Sequence, residues 1–113
     1  MSIQIIGTKK CRETQKTERY FRERNIPYHL VDLNQRALSP GELQSIAASI
    51  PPEELIDTES KLYKKKGMAY MEFDIMEELL ENSGLIKTPI VRFGKKAVLG
   101  FDPEQWHKLM GED

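Results

Sequence analysis

The chain has 113 residues, with 17 basic and 18 acidic side chains and a formal net charge of −1 at neutral pH. That balance excludes nucleic-acid binding that depends on a large overall positive charge. Hydrophobic residues make up 39% of the chain and charged residues 31%, which predicts one globular domain over residues 1–113. We find no membrane span and no signal peptide, and we expect a cytoplasmic monomer that binds neither membrane nor nucleic acid directly.

Cys11 is the only cysteine, so the chain cannot form an internal disulfide or a zinc site built from several thiolates. A single free thiol is typical of a reducing compartment. His29 and His107 lie far apart in sequence, and neither has a second ligand at metal-binding spacing. We therefore expect no metal site.

The first third of the chain predicts strand, helix and strand. Residues 3–6 are a β-prone run that ends at Gly7, and residues 12–24 favour a helix that ends at Asn25. Residues 28–33 alternate between apolar and polar side chains, as a strand does. Such a unit normally forms a right-handed crossover between two parallel strands.

The middle of the chain predicts a block of helices. Residues 39–42 form a capping box, with a serine cap, a proline at the first helical position and a glutamate at the third. Thr58 is placed to cap a brief helix through Tyr63 that leaves by a left-handed turn at Gly67. Residues 72–82 have the strongest helical spacing of apolar side chains.

The end of the chain predicts a hairpin and a last helix. Residues 89–93 and 97–99 read as strands that flank a turn at residues 94–96. Asp102 is typical of a helix cap, and Trp106 then lies on the apolar face of the helix. The predicted order is therefore βαβ, a helical block and ββα.

Cys11 stands where a loop gives way to a helix. The first turn of a helix has unpaired N–H groups and a positive dipole end, and both stabilise a thiolate. Lys10 and Arg12 add positive charge beside it. The alternative is a small buried hydrophobe, which the polar flanking residues disfavour.

The third residue after Cys11 is Thr14, which makes the motif C-x-x-T. A hydroxyl there can donate a hydrogen bond to the thiolate but cannot resolve a mixed disulfide, so a redox cycle needs an external thiol. An inward-facing helix residue is an equally good interpretation of Thr14. Thr88 and Pro89 open the third strand, where a cis proline would expose backbone groups to a substrate; the residues alone leave the isomer open.

An ordered set of segments resembles the arsenate reductase (ArsC) family, which includes glutaredoxin-coupled arsenate reductases and Spx-type transcription regulators. The segments are residues 7–11, 84–91 and 100–104, and the resemblance spans residues 3–110. It implies a thioredoxin-like (glutaredoxin-like) α/β fold with a helical insertion, about residues 36–85, between the second and third strands. It also implies that Pro89 is a cis proline and that Cys11 is the reactive cysteine.

The resemblance implies oxyanion-binding arginines at three places that this chain fills differently. The first place holds Asp57 or Glu59, the second holds Thr88, and the third holds Phe101. None of these side chains offers the guanidinium fork that suits a tetrahedral oxyanion, which argues against arsenate as the substrate. Lys87 and Arg92 could substitute in part, although solvated charges are the favoured interpretation of both.

Three functions remain open at this point. The first is an ArsC-like thiol oxidoreductase without a bound cofactor, in which glutathione, a glutaredoxin or a thioredoxin-type partner closes the cycle. The second is an Spx-like regulator or interaction protein that binds RNA polymerase, and the third is a family member without catalysis. For the first, the predicted roles are nucleophile for Cys11, thiolate stabilisation for Lys10, Arg12 and Thr14, and a substrate groove at Thr88 and Pro89.

Overall fold

The computed structural model describes residues 2–111 and contains one four-stranded sheet. The strands are β1 (Ile3–Gly7), β2 (His29–Asp32), β3 (Ile90–Phe93) and β4 (Lys96–Leu99). Their order across the sheet is β2-β1-β3-β4, with β1 parallel to β2 and antiparallel to β3, and β3 antiparallel to β4. The predicted thioredoxin-like α/β fold is confirmed.

Within residues 2–111, six helices and two short 3₁₀ turns accompany the sheet. Helix α1 (Arg12–Glu23) connects the two parallel strands, and Asn25 follows it in the left-handed conformation, at φ 57°. Four helices form the insertion between β2 and β3, and the last helix follows β4. These helices are α2 (Pro40–Ala47), α3 (Pro52–Leu55), α4 (Lys61–Lys65), α5 (Ile75–Glu81) and α6 (Pro103–Met110), and the 3₁₀ turns are Met68–Tyr70 and Ser83–Leu85.

Two predicted helix starts in the insertion are wrong. The cap of α4 is Ser60 and not Thr58, because the Ser60 hydroxyl accepts a hydrogen bond from the Tyr63 N–H at 3.1 Å. Helix α5 begins after Asp74 rather than at residue 72, because the Asp74 carboxylate accepts from the Glu77 N–H at 3.0 Å. In both cases a short polar side chain satisfies a free helical N–H and so decides where the helix begins.

Each face of the sheet packs against its own hydrophobic core. On one face Ile5 and Val91 contact the core formed by Phe21 of α1 and Trp106 of α6, all fully buried. The other face packs against the helical insertion. This division arises because successive side chains of a strand point to opposite faces of the sheet. Packing on both faces holds β1 in place, and the Cys11 loop begins at the carboxyl end of β1. The buried residues on the insertion side include Ile6, Val31, Ile90, Leu43, Ile46 and Leu79.

Among residues 2–111, no helix is long and apolar enough to cross a membrane.

The capping box of α2 predicts a measurable acid transition. The Arg36 guanidinium binds both Glu42 carboxylate oxygens at 2.9 Å, and with the Ser39 backbone it lowers the Glu42 pKa from 4.5 to about 2. A lowered folded pKa stabilises the protein above the unfolded pKa, and this contribution is lost as the pH falls from about 4.5 to about 2. Because both side chains reach solvent, we expect a loss of only about 1–2 kcal/mol.

Urea unfolding of the parent chain and of Glu42→Gln, at several values of pH between 2 and 5, tests this expectation. Glutamine keeps the capping hydrogen bonds but cannot titrate. The stability difference between the two proteins should shrink as the pH falls through this window. A difference that does not change with pH would contradict the assignment.

Candidate active site

Cys11 is the N-cap residue of α1, at the end of a short loop that follows β1. Its backbone is extended, with φ −76° and ψ 117°. The Cys11 N–H donates to the Thr8 carbonyl at 3.2 Å, and the Cys11 carbonyl accepts from the Gln15 N–H at 3.0 Å. The Gln15 side-chain amide also donates to the Lys9 carbonyl. These contacts fix the loop, so the thiol has a defined position at the helix start.

The predicted groove residues lie directly beside the thiol. The Cys11 thiol is half-buried and lies 3.8 Å from the Thr88 carbonyl oxygen, to which it donates. The Thr88–Pro89 peptide bond is cis, as the family resemblance implied. The Gly100 N–H donates to the Pro89 carbonyl at 2.8 Å and so ties the end of β4 to the same point. Two residues 77 positions apart in sequence thus meet at one site.

The environment of Cys11 lowers its thiol pKa from the ordinary value of 9.0. Partial burial is the largest single influence and raises the pKa, because it disfavours the charged thiolate. The Thr14 and Thr88 side chains and the backbone N–H groups of Thr14 and Glu13 favour the thiolate and outweigh that effect, although the neutral Cys11 side chain makes no capping hydrogen bond to the helix. A lower pKa increases the fraction of thiolate, which is the nucleophilic form.

In the described part of the chain, the buried hydroxyl of Thr14 has no hydrogen-bond partner while the Cys11 thiol is neutral. Its side chain is fully buried, and within residues 2–111 its hydroxyl has no hydrogen-bond partner at normal distance. Thr17, on the same helix face, instead donates to the Glu13 carbonyl at 2.8 Å. An unpaired buried hydroxyl is costly, yet this one lowers the Cys11 pKa. The structure thus places the Thr14 hydroxyl where it lowers the Cys11 pKa, and its role toward the thiolate stays a prediction.

Gly7 has a function at this site that sequence reasoning missed. A Cβ atom added to Gly7 would lie 2.7 Å from Thr14 Cγ2 and closer still to Thr14 Oγ1, which no real structure permits. The last residue of β1 must therefore be glycine for Thr14 to occupy its position beside Cys11. The glycine at the end of the strand was visible in the sequence, but its contact with a residue of α1 was not.

Lys10 and Arg12, predicted to stabilise the thiolate, are both exposed. The hydrogen bonds that lower the Cys11 pKa come from other groups, namely Thr14, Thr88 and Glu13. Any effect of the two cations on the thiol therefore acts over a longer range through solvent, where it is screened by salt. Their role stays a prediction.

The three places where the resemblance implied arginines are all linked to the Thr88–Pro89 segment. An isolated antiparallel bridge joins Ile56 to Ile86, which brings Asp57 alongside that segment. Phe101 directly follows Gly100, whose N–H binds the Pro89 carbonyl. The segments in which the resemblance implied arginines thus lie near the thiol, but none of the three places holds a guanidinium group.

Arg92 is a structural residue rather than the solvated charge that the sequence favoured. It is half-buried, and its guanidinium donates to Gln4 Oε1 and to Ser45 Oγ, each at 3.1 Å. It lies three residues along β3 from Pro89, about 10 Å at the rise of a strand. Arg92 therefore links the sheet to α2 and does not replace an oxyanion-binding arginine. Lys87 is half-buried, and its N–H donates to the Leu55 carbonyl.

In the part of the chain that the structure describes, no three His, Cys, Asp or Glu residues are grouped closely enough to hold a metal ion. His29 and His107 are both exposed, on β2 and α6 respectively.

Comparison with known proteins agrees with the fold. The Spx global transcriptional regulator of Enterococcus faecalis is 28% identical over 116 residues, covering 98% of this chain and 88% of its own. An arsenate reductase of Haemophilus influenzae is 28% identical over 110 residues, covering 92% and 95%. The crystal structure of an ArsC family related protein from Bacteroides fragilis superimposes with a TM-score of 0.84 at 25% identity, covering 96% and 98%. The ArsC family model matches residues 6–109, so this chain belongs to the ArsC family.

Proposed function

We propose that the protein is a thiol oxidoreductase with a single nucleophilic cysteine, Cys11. The observation that carries this proposal is the half-buried thiol at the start of α1, whose pKa is lowered although burial opposes ionisation. Its thiolate attacks a sulfur atom of a disulfide substrate. A bond forms between the two sulfurs, the substrate S–S bond breaks, and the leaving sulfur departs with the electron pair as a thiolate.

The cycle requires a thiol from outside the chain. Cys11 is the only cysteine, and Thr14 occupies the position at which a C-x-x-C protein has its resolving thiol. An external thiolate must therefore attack the mixed disulfide and release Cys11. We propose glutathione, or a glutaredoxin or thioredoxin-type protein, for that step.

A sulfur substrate suits this site better than arsenate. Asp57 and Glu59 repel oxyanions, and neither Thr88 nor Phe101 supplies a guanidinium fork. The Thr88–Pro89 segment is next to the thiol, where backbone groups can align the main chain of a peptide substrate.

Mass spectrometry of the intact protein after incubation with oxidised glutathione tests the proposal. We expect one glutathione adduct on the parent chain, which dithiothreitol removes, and no adduct on Cys11→Ser. Thr14→Cys supplies an internal resolving thiol, so it should lose the adduct and form an intramolecular disulfide. A folded parent chain that forms no adduct would contradict the proposal and leave a family member without catalysis.

Transcription regulation is the second candidate, with RNA polymerase as the partner. It is supported by the similarity to the Spx regulator of Enterococcus faecalis and by two exposed apolar side chains on the insertion. Tyr70 is 96% exposed and Met71 is 45% exposed, and exposed aromatic side chains often anchor protein interfaces.

This candidate predicts that immobilised protein retains RNA polymerase, that Tyr70→Ala weakens retention, and that Cys11→Ser does not. Equal retention by all three proteins would count against this surface.

A further inference from the structure

The charges of this chain are distributed unevenly around the reactive thiol. Residues 9–24, which contain the Cys11 loop and α1, have seven basic and three acidic side chains, a formal charge of +4. The remaining residues have ten basic and fifteen acidic side chains, a formal charge of −5. A partner that approaches along α1 therefore meets a positive region, although Asp57 adds a negative charge alongside the Thr88–Pro89 segment. The charge of α1 favours an acidic partner.

A shallow groove of about 340 Å³ lies along α1 within this positive region. Its floor is aromatic. Tyr20 packs edge to face on Phe101, with ring centroids 6.1 Å apart, and Phe101 packs in the same way on the buried Trp106 at 5.1 Å. Both Tyr20 and Phe101 remain half-exposed. The residues that line the groove are Lys16, Arg19, Tyr20, Glu23, Arg24 and Phe101.

Two of the cations in the groove are held on its aromatic floor. Lys16 Nζ lies 4.2 Å from the centroid of the Phe101 ring, and Arg24 Cζ lies 3.7 Å from that of Tyr20. Cation–π contacts fix the positions of long side chains that would otherwise be mobile. A ligand carboxylate thus meets cations that are already ordered, which reduces the entropy lost on binding.

The groove lies farther along the helix that Cys11 caps, and Cys11 itself does not line it. At the rise of an α-helix, Lys16 lies about 8 Å and Tyr20 about 14 Å from Cys11. An extended peptide covers those distances in about two to four residues. A Cβ atom added to Gly100 would lie 3.9 Å from Glu13 Oε2, so the first turn of α1 and the segment that leads to Phe101 are adjacent over this distance.

We propose that this groove binds an acidic segment of a protein substrate, with carboxylates about two to four residues from the cysteine that reacts with Cys11. The inference rests on the proposed thiol chemistry and names its substrate class. The carboxylates pair with Lys16 and Arg19, and Arg24 adds positive charge at the far end of the groove. An apolar side chain contacts the exposed edges of Tyr20 and Phe101. The groove thereby presents the substrate disulfide to the Cys11 thiolate.

Two synthetic peptides test the proposal, each with one cysteine activated as a disulfide with 2-nitro-5-thiobenzoate. One has Glu-Glu-Phe beginning two residues from its cysteine, and the other has Gln-Gln-Phe. Release of the coloured thiol gives the second-order rate constant for attack by Cys11. We expect the acidic peptide to react roughly tenfold faster at low salt, with the advantage lost at high salt.

Charge-reversal variants locate the effect. Lys16→Glu should remove most of the preference. Arg19→Glu reverses the charge of an exposed side chain, leaves both cation–π contacts intact and should also reduce the preference. Arg24→Glu, which is farthest from Cys11, should have a smaller effect. Lys95→Glu, in the exposed turn between β3 and β4, makes the same change in net charge away from α1 and should keep the preference.

Three results would overturn the proposal: equal rates for the two peptides, an equal loss of preference in Lys95→Glu, or stronger competition by a single-stranded oligonucleotide than by an acidic peptide without cysteine. Reactivity with neutral iodoacetamide separates this failure from failure of the proposed function. A protein with a reactive thiol and no peptide preference contradicts the groove alone. A protein with an unreactive thiol contradicts the thiol chemistry itself.

Discussion

Gly7→Ala is expected to destabilise the protein by about 1–3 kcal/mol and to reduce the reactivity of Cys11. The added methyl group overlaps the Thr14 side chain, which is fully buried. Either the helix start shifts or Thr14 leaves its rotamer. Both responses move the hydroxyl away from the sulfur, so the thiol pKa should rise.

Urea unfolding and iodoacetamide alkylation of the same samples measure both effects. Gly41→Ala is the matched control, since a Cβ atom added there meets nothing within 4 Å. It should leave stability and alkylation unchanged or raise stability slightly. Thr14→Ala should restore part of the stability lost in Gly7→Ala without restoring reactivity, because it removes the overlapping atoms together with the hydroxyl. Additive stability losses in the double variant would contradict the proposed overlap.

Thr14→Val is expected to separate the reactivity of Cys11 from the stability of the fold. Valine matches threonine in shape but lacks the hydroxyl, so the thiolate loses one of the donors that offset the cost of its burial. The Cys11 pKa should rise, and alkylation near neutral pH should slow by roughly threefold to tenfold, which corresponds to about 0.6–1.4 kcal/mol, the value of one ordinary hydrogen bond. Stability below the thiol pKa should not fall, because the hydroxyl has no neutral partner to lose.

Thr17→Val provides the opposite result as a control. Its hydroxyl donates to the Glu13 carbonyl at 2.8 Å, so its removal should cost about 0.5–1.5 kcal/mol and leave the alkylation rate of Cys11 unchanged. Equal alkylation rates in the parent chain and Thr14→Val would contradict the role assigned to Thr14.

Much of the fold follows from short-range patterns in the sequence. The alternation in β2, the capping box at Ser39 and the cap at Asp102 all lie in the structure where the sequence predicts them. Each is a local relation between residues within one turn or one strand, so it is visible without knowledge of the tertiary structure. The position of Cys11 at the start of α1 is also a local relation, and it too is visible in the sequence.

The features that the sequence did not reveal depend on contacts between distant segments. Gly7 matters through Thr14 on the next element, Arg92 is bound by Gln4 and Ser45, and the groove at Phe101 forms only when α6 packs against α1. Propensity and periodicity report the preferences of neighbouring residues, whereas these contacts arise from the packing of the whole sheet.

The pH dependence of Cys11 alkylation, measured on the folded chain and on the urea-unfolded chain, tests the central claim most directly. Cys11 is the only thiol, so the signal has a single source. The hydrogen bonds of Thr14, Thr88 and Glu13 predict a folded midpoint below the unfolded one, with appreciable reaction of the folded chain near neutral pH. Coincident midpoints, or a thiol that reacts only after unfolding, would contradict the assignment of Cys11 as the nucleophile.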